Sequence, residues 1–245
     1  MKKLSQLIIG LIFLSVISYG QDIIIGIQTG FGSYKMESLH NLNISLAAPL
    51  PSDNAIISDL PPYIYLQAEA NLGFIENKFS IGFVVSTHST GSRVFYSDYS
   101  GMYRFDMLLS DYTLGSIFKA RLFRFPKIDI HAYTEFGFST STLTTDEFFQ
   151  IGSEFRERKQ TYDSSPAYLE PGIRINYRFK KMALGINAGY AVNIGDTFTI
   201  IGNEIIILRN PRTGENIVSD WSGFRLGVTA SFKLFTIKSL HPSKR

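Results

Sequence analysis

The sequence predicts an all-β chain: an eight-stranded, antiparallel, up-and-down transmembrane β-barrel. Three observations carry this expectation. Hydrophobicity alternates with period two in eight separate segments. The connections between those segments alternate between short and long. After residue 20, no apolar stretch approaches the ~20 residues that a membrane-spanning helix requires. The length of 245 residues fits one domain, and 44 % apolar with 14 % aromatic residues is too apolar for a disordered chain. Charged residues make up 18 %, fewer than the roughly one quarter of ordinary soluble domains.

The first twenty residues read as an address. Lys2 and Lys3 precede an apolar run, Leu7–Ile17, of about 11 residues, too short to span a bilayer. Ser18-Tyr19-Gly20 then places small residues before a cleavage point at Gln21, so residues 1–20 are expected to be a secretory signal peptide. Residues 21–235 form the expected barrel and 236–245 a short periplasmic tail.

The first segment places Ile23, Ile25, Ile27 and Phe31 on one face, with Gly26, Gln28, Gly30 and Gly32 on the other. Ile64, Leu66, Ala68, Ala70, Leu72 and Phe74 form the apolar face of the second, opposite Tyr65, Gln67, Glu69 and Asn71. The third sets Phe79, Ile81, Phe83 and Val85 against Ser80, Gly82, Ser86 and His88; the fourth sets Tyr112, Leu114, Phe118 and Leu122 against Gly115, Lys119 and Arg121. In the fifth, Ile128, Ile130, Phe136 and Phe138 oppose Asp129, His131, Tyr133 and Glu135. Leu169, Ile173, Ile175, Tyr177 and Phe179 oppose Glu170, Gly172, Arg174 and Arg178 in the sixth. The seventh alternates Leu184, Ile186, Ala188, Tyr190 and Val192 with Gly185, Asn187 and Gly189. The eighth alternates Phe224, Leu226, Val228, Phe232 and Leu234 with Arg225, Gly227, Thr229 and Lys233. Each segment of about 11 residues, tilted near 40°, spans roughly 25–28 Å, the height of a bilayer's apolar band.

A soluble ligand-binding barrel would place the apolar face inside. The polar face is instead crowded with glycine and other small residues, which suits the narrow interior of eight strands. Glu76-Asn77-Lys78, Arg124–Lys127 and Lys180-Lys181 are short turns, whereas 37–61, 140–166 and 197–220 are long. Two aromatic girdles are expected. Phe74, Phe79, Phe123, Phe125, Phe179, Phe232 and Phe235 gather at the short-turn end, and Tyr63, Tyr103, Tyr112, Tyr168, Tyr190 and Trp221 at the long-loop end.

The signal peptide, the eight segments and the short/long rhythm resemble small outer-membrane β-barrel domains of Bacteroidota. The architecture is similar to the OmpA transmembrane domain and OmpX, and loosely similar to PorT-like barrels attached to type IX secretion. The resemblance spans residues 21–235 by pattern rather than by a diagnostic motif. It implies an outer membrane of a Gram-negative bacterium, lipid as the surrounding partner and a monomer. Such barrels usually end on an aromatic residue; here Phe232 and Phe235 are followed by Thr236–Arg245.

The chain has no cysteine, which removes disulfides, thiolate catalysis and iron–sulfur clusters. Four histidines make a His-rich metal site unexpected, and no phosphate cradle or calcium loop is present. The net charge of +3 comes from the two ends, so no basic excess points to nucleic acid. No cofactor is expected. The inward positions Glu69, Lys119, Arg121, Asp129, His131, Glu135, Glu170, Arg174, Arg178, Arg225 and Lys233 carry mixed signs and are expected to pair into a closed lumen. His88-Ser89 and His131 with Glu135 are the sole catalytic candidates, and no spacing joins a nucleophile, a base and an orienting group. An enzyme is therefore not expected. The third and fourth strands are expected to project as an aromatic hairpin around Ser97–Gly101, with edges free to accept a partner strand. The stretch Ser141–Ser165 reads as a solvated charged loop. A hairpin is expected within 197–220, with Glu204–Leu208 returning through Asn210–Gly214 to Asn216–Asp220.

Overall fold

The computed structural model describes residues 21–50, 55–58, 60–74 and 78–237. The expected signal peptide, most of the turn at 76–78 and the tail from 238 onward lie outside the described residues. The elements in chain order are β1 (Gln21–Gly32), α1 (Glu37–Ala47), β2 (Ala55–Ser58), β3 (Tyr63–Phe74), β4 (Phe79–Ser97), β5 (Gly101–Arg124) and β6 (Ile128–Ile151). They continue with β7 (Glu154–Ser164), β8 (Ala167–Arg178), β9 (Met182–Ile194), β10 (Asp196–Thr197), β11 (Thr199–Ile200), β12 (Asn203–Ile207), β13 (Val218–Ser219) and β14 (Gly223–Ile237).

Eight of these strands close a ring. The order is β1-β3-β4-β5-β6-β8-β9-β14 and back to β1, every neighbour antiparallel. The apolar face points outward: Phe83 is 70 % exposed and Phe138 71 %. The polar face points inward, with Gln67, Glu69 and Asn71 buried. An exterior of isoleucine, leucine, valine and phenylalanine around a polar, glycine-rich interior is stable only when lipid covers the outside. Large and small residues alternate inside. A Cβ at Gly172 would overlap the Tyr133 ring, and one at Gly227 the Tyr65 hydroxyl, so each tyrosine lies along the inner wall over a glycine of a nearby strand.

Beyond the ring, the wall rises on one side. β4, β5 and β6 continue past the apolar band, with β5 extending about eleven residues beyond Tyr112, roughly 25–30 Å after tilt. The hairpin at 97–101 forms as expected, but its edges are not free. β2 pairs with Arg93–Tyr96, and β6 pairs with β5 from Gly101 onward. Residues 141–164 are a β6–β7 hairpin rather than a loop. In 197–220, Leu208–Ile217 turns back through Asn210–Gly214 as expected, with Arg209 opposite Asn216. The run 204–207, however, pairs with β11 instead of 216–220.

At the hairpin tip, Asp98 accepts bonds from the Tyr96 hydroxyl (2.6 Å), the Ser100 hydroxyl (2.7 Å) and the Ser100 amide (2.8 Å). These bonds hold its carboxyl down at about 2, against an ordinary value of 3.8. A depressed carboxyl contributes order that is complete above its ordinary value and lost as pH falls through about 2. An NMR titration is therefore expected to show the Ser100 and Gly101 amides shifting near pH 2; a midpoint at 3.8 would refute the bonded turn.

Candidate functional site

The interior holds two stacked zones. In the lower one, Glu69 on β3 accepts bonds at one carboxyl oxygen from Lys119 Nζ (2.5 Å) and Arg174 Nη1 (2.8 Å). Arg174 Nη2 donates to Gln28 (2.7 Å), and Gln28 donates to the Tyr65 hydroxyl (2.9 Å). Asn187 donates to the same hydroxyl at 3.2 Å. Gln67 donates to Glu135 (2.8 Å), while Tyr133 and Arg225 both donate to Glu170 at 3.0 Å. Arg225 also donates to the Tyr63 hydroxyl (2.8 Å) and lies over the rings of Tyr63 and Tyr65.

Strand register explains a tension in this zone. Glu135 and Glu170 are direct cross-strand partners on the inner face, a destabilising like-charge pair on its own. Three buried carboxylates, Glu69, Glu135 and Glu170, are nevertheless matched by three buried cations, Lys119, Arg174 and Arg225. The layer is neutral, as a low-dielectric interior requires. Toward the short-turn end, Arg178 pairs with Asp129 (2.9 Å) and Lys233 with Asp22 (2.7 Å). Arg121 lies opposite His131 in register, and His131 opposite Arg174.

The upper zone is a cap. His88, Asp111 and Ser141 form one cross-strand row on the inner faces of β4, β5 and β6. Ser141 donates to Asp111 (2.5 Å) and accepts from Trp221 Nε1 (2.9 Å) and the Ser219 hydroxyl (2.8 Å). His88 stacks on Tyr63 with centroids 4.4 Å apart and meets Trp221 edge-on at 4.3 Å. Above this row α1 lies across the mouth. Leu39 and Leu42 pack with Leu109, Leu143, Phe198 and Trp221 in one hydrophobic cluster. The helix entry is strained: Met36 has φ 40°, a left-handed conformation costly for a side-chain-bearing residue. Its fully buried side chain in the same cluster offsets that cost.

The aromatic positions divide. Phe123, Phe125, Phe179, Phe232 and Phe235 are exposed on the outer wall at the short-turn end, with Phe74 and Phe79 half-buried there. The upper belt needs correction. Tyr63 and Trp221, each 1 % exposed, and Tyr168 point inward, and Tyr103 stands in the raised wall. Tyr112 and Tyr190 do face outward, joined by Phe31, Phe138 and Phe224. Inward tyrosines fill the lumen, and Tyr63, Tyr65 and Tyr133 bond their hydroxyls to Arg225, Gln28 and Glu170, so packing wins over interfacial anchoring.

Neither catalytic candidate is assembled. His88 is buried inside, while its neighbour Ser89 is exposed outside. His131 and Glu135 are four residues apart on one strand, about 13 Å along its axis. Gln28, Tyr65, Asn187 and Thr229, which the alternation places on the inward face, join the network too, although a search weighted toward charge left these neutral residues out of it. Asp111 and Ser141 lie beyond the segments that the alternation marks, and sequence reasoning missed them.

On the raised wall, the end of α1, the β5 and β6 tips and Pro211-Arg212 surround a groove of about 890 Å³ lined by Leu46, Leu50, Tyr103 and Phe149. Burial and the Glu147 carboxylate push the Tyr103 hydroxyl up to about 12.

No protein-family model matches the chain, and no curated relative matches it. Among solved structures it is similar to Ail, the attachment invasion locus protein of Yersinia pestis, at 12 % identity and TM-score 0.31, over 88 % of this chain and 99 % of that one. It is similar to the outer membrane protease OmpT from Escherichia coli at 10 % identity and TM-score 0.36, over 88 % and 96 %. The translocator domain of autotransporter NalP from Neisseria meningitidis is similar at 10 % identity and TM-score 0.31, over 96 % and 97 %. The barrel assignment rests on the closed strand ring and its apolar exterior.

Proposed function

We propose that this chain is an outer-membrane β-barrel of a Gram-negative envelope, exported by a cleaved signal peptide, whose work is done at its extracellular face. Its role is structural or interactive, as a monomer in lipid without a cofactor. One observation supports this reading above the others. Buried side chains cross the lumen in a charge-neutral layer and α1 packs over the row above it, which supports a lumen blocked twice, while β4–β7 carry a folded wall well beyond the apolar band. A blocked lumen leaves the raised wall as the surface that meets other molecules. The same observation favours binding over catalysis, since the Ser141 hydroxyl is fully buried and committed to Asp111.

The test is electrical. Reconstituted in a planar bilayer, the protein is expected to give no steady steps of porin size; such steps would refute the blocked lumen and favour a small passive transporter. Extraction of the native protein in mild detergent separates the remaining readings. A species near monomer mass fits an autonomous surface barrel. Stoichiometric companions would identify an accessory barrel of an envelope secretion complex, the role that the resemblance to PorT-like barrels raises.

A further inference from the structure

The short-turn end of the lumen is not filled. A cavity of about 290 Å³ opens there, with Glu69, Lys119 and Arg174 at its inner end and Arg124, Lys180 and Lys181 among its walls. Its charge is one-sided. Among the described residues, seven lysine and arginine side chains line it against two carboxylates, and a third carboxylate, Asp22, holds Lys233. Arg178 is held by Asp129, and Glu69 is shared between Lys119 and Arg174. Arg124, Lys180 and Lys181 have no ion pair among the described residues.

A second observation lies at the inner end. Asn71 lines the cavity and is only 3 % exposed, and neither its amide nitrogen nor its amide oxygen has a hydrogen-bond partner. A buried amide with both groups unsatisfied is costly and calls for a ligand or water. Beside it, the Lys119 ammonium carries three protons and spends one on Glu69. Unspent donors at the closed end and unpaired cations at the open end form an electrostatic funnel in a low-dielectric wall.

We infer that this cavity is a binding site for a phosphate-class oxyanion. A tetrahedral dianion presents several acceptor oxygens to point donors, here Lys119 and Asn71, and its negative charge is complementary to the three rim cations without an ion pair. A planar carboxylate is less well served, because Arg174 and Arg178 already direct their guanidinium groups at Glu69 and Asp129. The volume admits a phosphate or a small phosphomonoester rather than a nucleotide. The phosphate could be free in the periplasm or the headgroup of an inner-leaflet lipid reaching over the rim. The oxyanion chemistry is common to both.

The experiment uses the full mature chain in a neutral detergent and phosphate-free buffer, with inorganic phosphate as the titrant in calorimetry. Saturable binding that weakens as sodium chloride is raised is the expected result. The rim variant Arg124→Gln/Lys180→Gln/Lys181→Gln is expected to bind roughly tenfold or more weakly. These side chains are solvent-exposed, so folding should survive, checked by heat-modifiable gel mobility. Asn71→Leu is expected to abolish saturation, and the rim variant keeps the test decisive if that buried change prevents folding. A short-chain phosphatidic acid that displaces phosphate and binds more tightly would name the lipid headgroup as source. Failure of that lipid to compete would name free phosphate. Phosphate uptake that does not saturate, or that the rim variant leaves unchanged, overturns the assignment without touching the blocked-lumen reading.

Discussion

Replacing Glu69 with leucine is expected to destabilise the barrel by about 3–5 kcal/mol, the typical penalty for stripping one partner from a buried ion pair. Here the substitution strands two cations at once, since Lys119 and Arg174 both bond the same Glu69 oxygen. The remaining carboxylates are less well placed: Glu170 is held by Tyr133 and Arg225, and Glu135, which accepts from Gln67, makes no ion pair with either cation among the described residues. Urea unfolding of the protein in lipid vesicles is the direct measurement. The companion variant Glu69→Leu/Lys119→Met separates two explanations, because it leaves Glu135 and Glu170 against Arg174 and Arg225 and keeps the layer neutral. If the penalty is an uncompensated charge, removing this one pair should restore most of the lost stability, because replacing a buried ion pair by apolar residues is often neutral or better. A loss below about 1 kcal/mol for Glu69→Leu alone would mean that the charges are solvated as surface pairs are. Water would then fill the lower lumen, and the blocked-lumen reading would fall with it.

The eight spanning segments were legible because each lies between two solvents. Lipid outside and packed polar groups inside impose opposite demands on successive residues, and period two follows. Where only water is outside, that constraint lapses. Glu154–Lys159 on β7 are exposed on both faces, and their mixed charges read as a loop although they form a ladder. The upper aromatic belt shows a different failure. Tyr63, Tyr168 and Trp221 stand near strand ends, and proximity to the end placed them at an interface. Alternation places them inside: Tyr63 is in step with Gln67, Tyr168 with Glu170, and Trp221 with Arg225, all inward. The cap was also partly readable. Met36, Leu39, Leu42 and Leu46 repeat at helical spacing within the long connection after the first strand. The lumen partners were legible as a set of inward charges, but their pairing depends on strand stagger around the ring, which no local pattern encodes.

Leu39→Asp carries the second large effect, and it should be confined to the cap. Leu39 is fully buried among Leu109, Leu143, Phe198 and Trp221, so the change forfeits roughly 2–3 kcal/mol of apolar burial. It also places a carboxylate in an apolar cluster, where desolvation costs more still. Beyond that cluster the helix is tied by a few polar bonds. Met36 N–H donates to Asp220 (3.3 Å), Ser38 exchanges bonds with the Val218 backbone (3.0 and 3.1 Å), Asn210 donates to the Asn41 carbonyl (3.3 Å) and Ser92 to Asn43 (3.3 Å). The cap should therefore lift while the ring, held by eight antiparallel pairings, stays closed. The chain's one tryptophan reports the difference, because Trp221 is buried in the same cluster as Leu39 and Leu42 of the helix. Its emission is expected to shift to longer wavelength and become open to iodide quenching in Leu39→Asp, with heat-modifiable gel mobility unchanged. Conductance should stay absent, since the Glu69–Lys119–Arg174 and Glu170–Arg225 layer still blocks the lumen. Emission that stays unshifted would show that α1 is not what shields Trp221. Channel steps from Leu39→Asp alone would show that the cap is the only seal and that the charged layer passes ions.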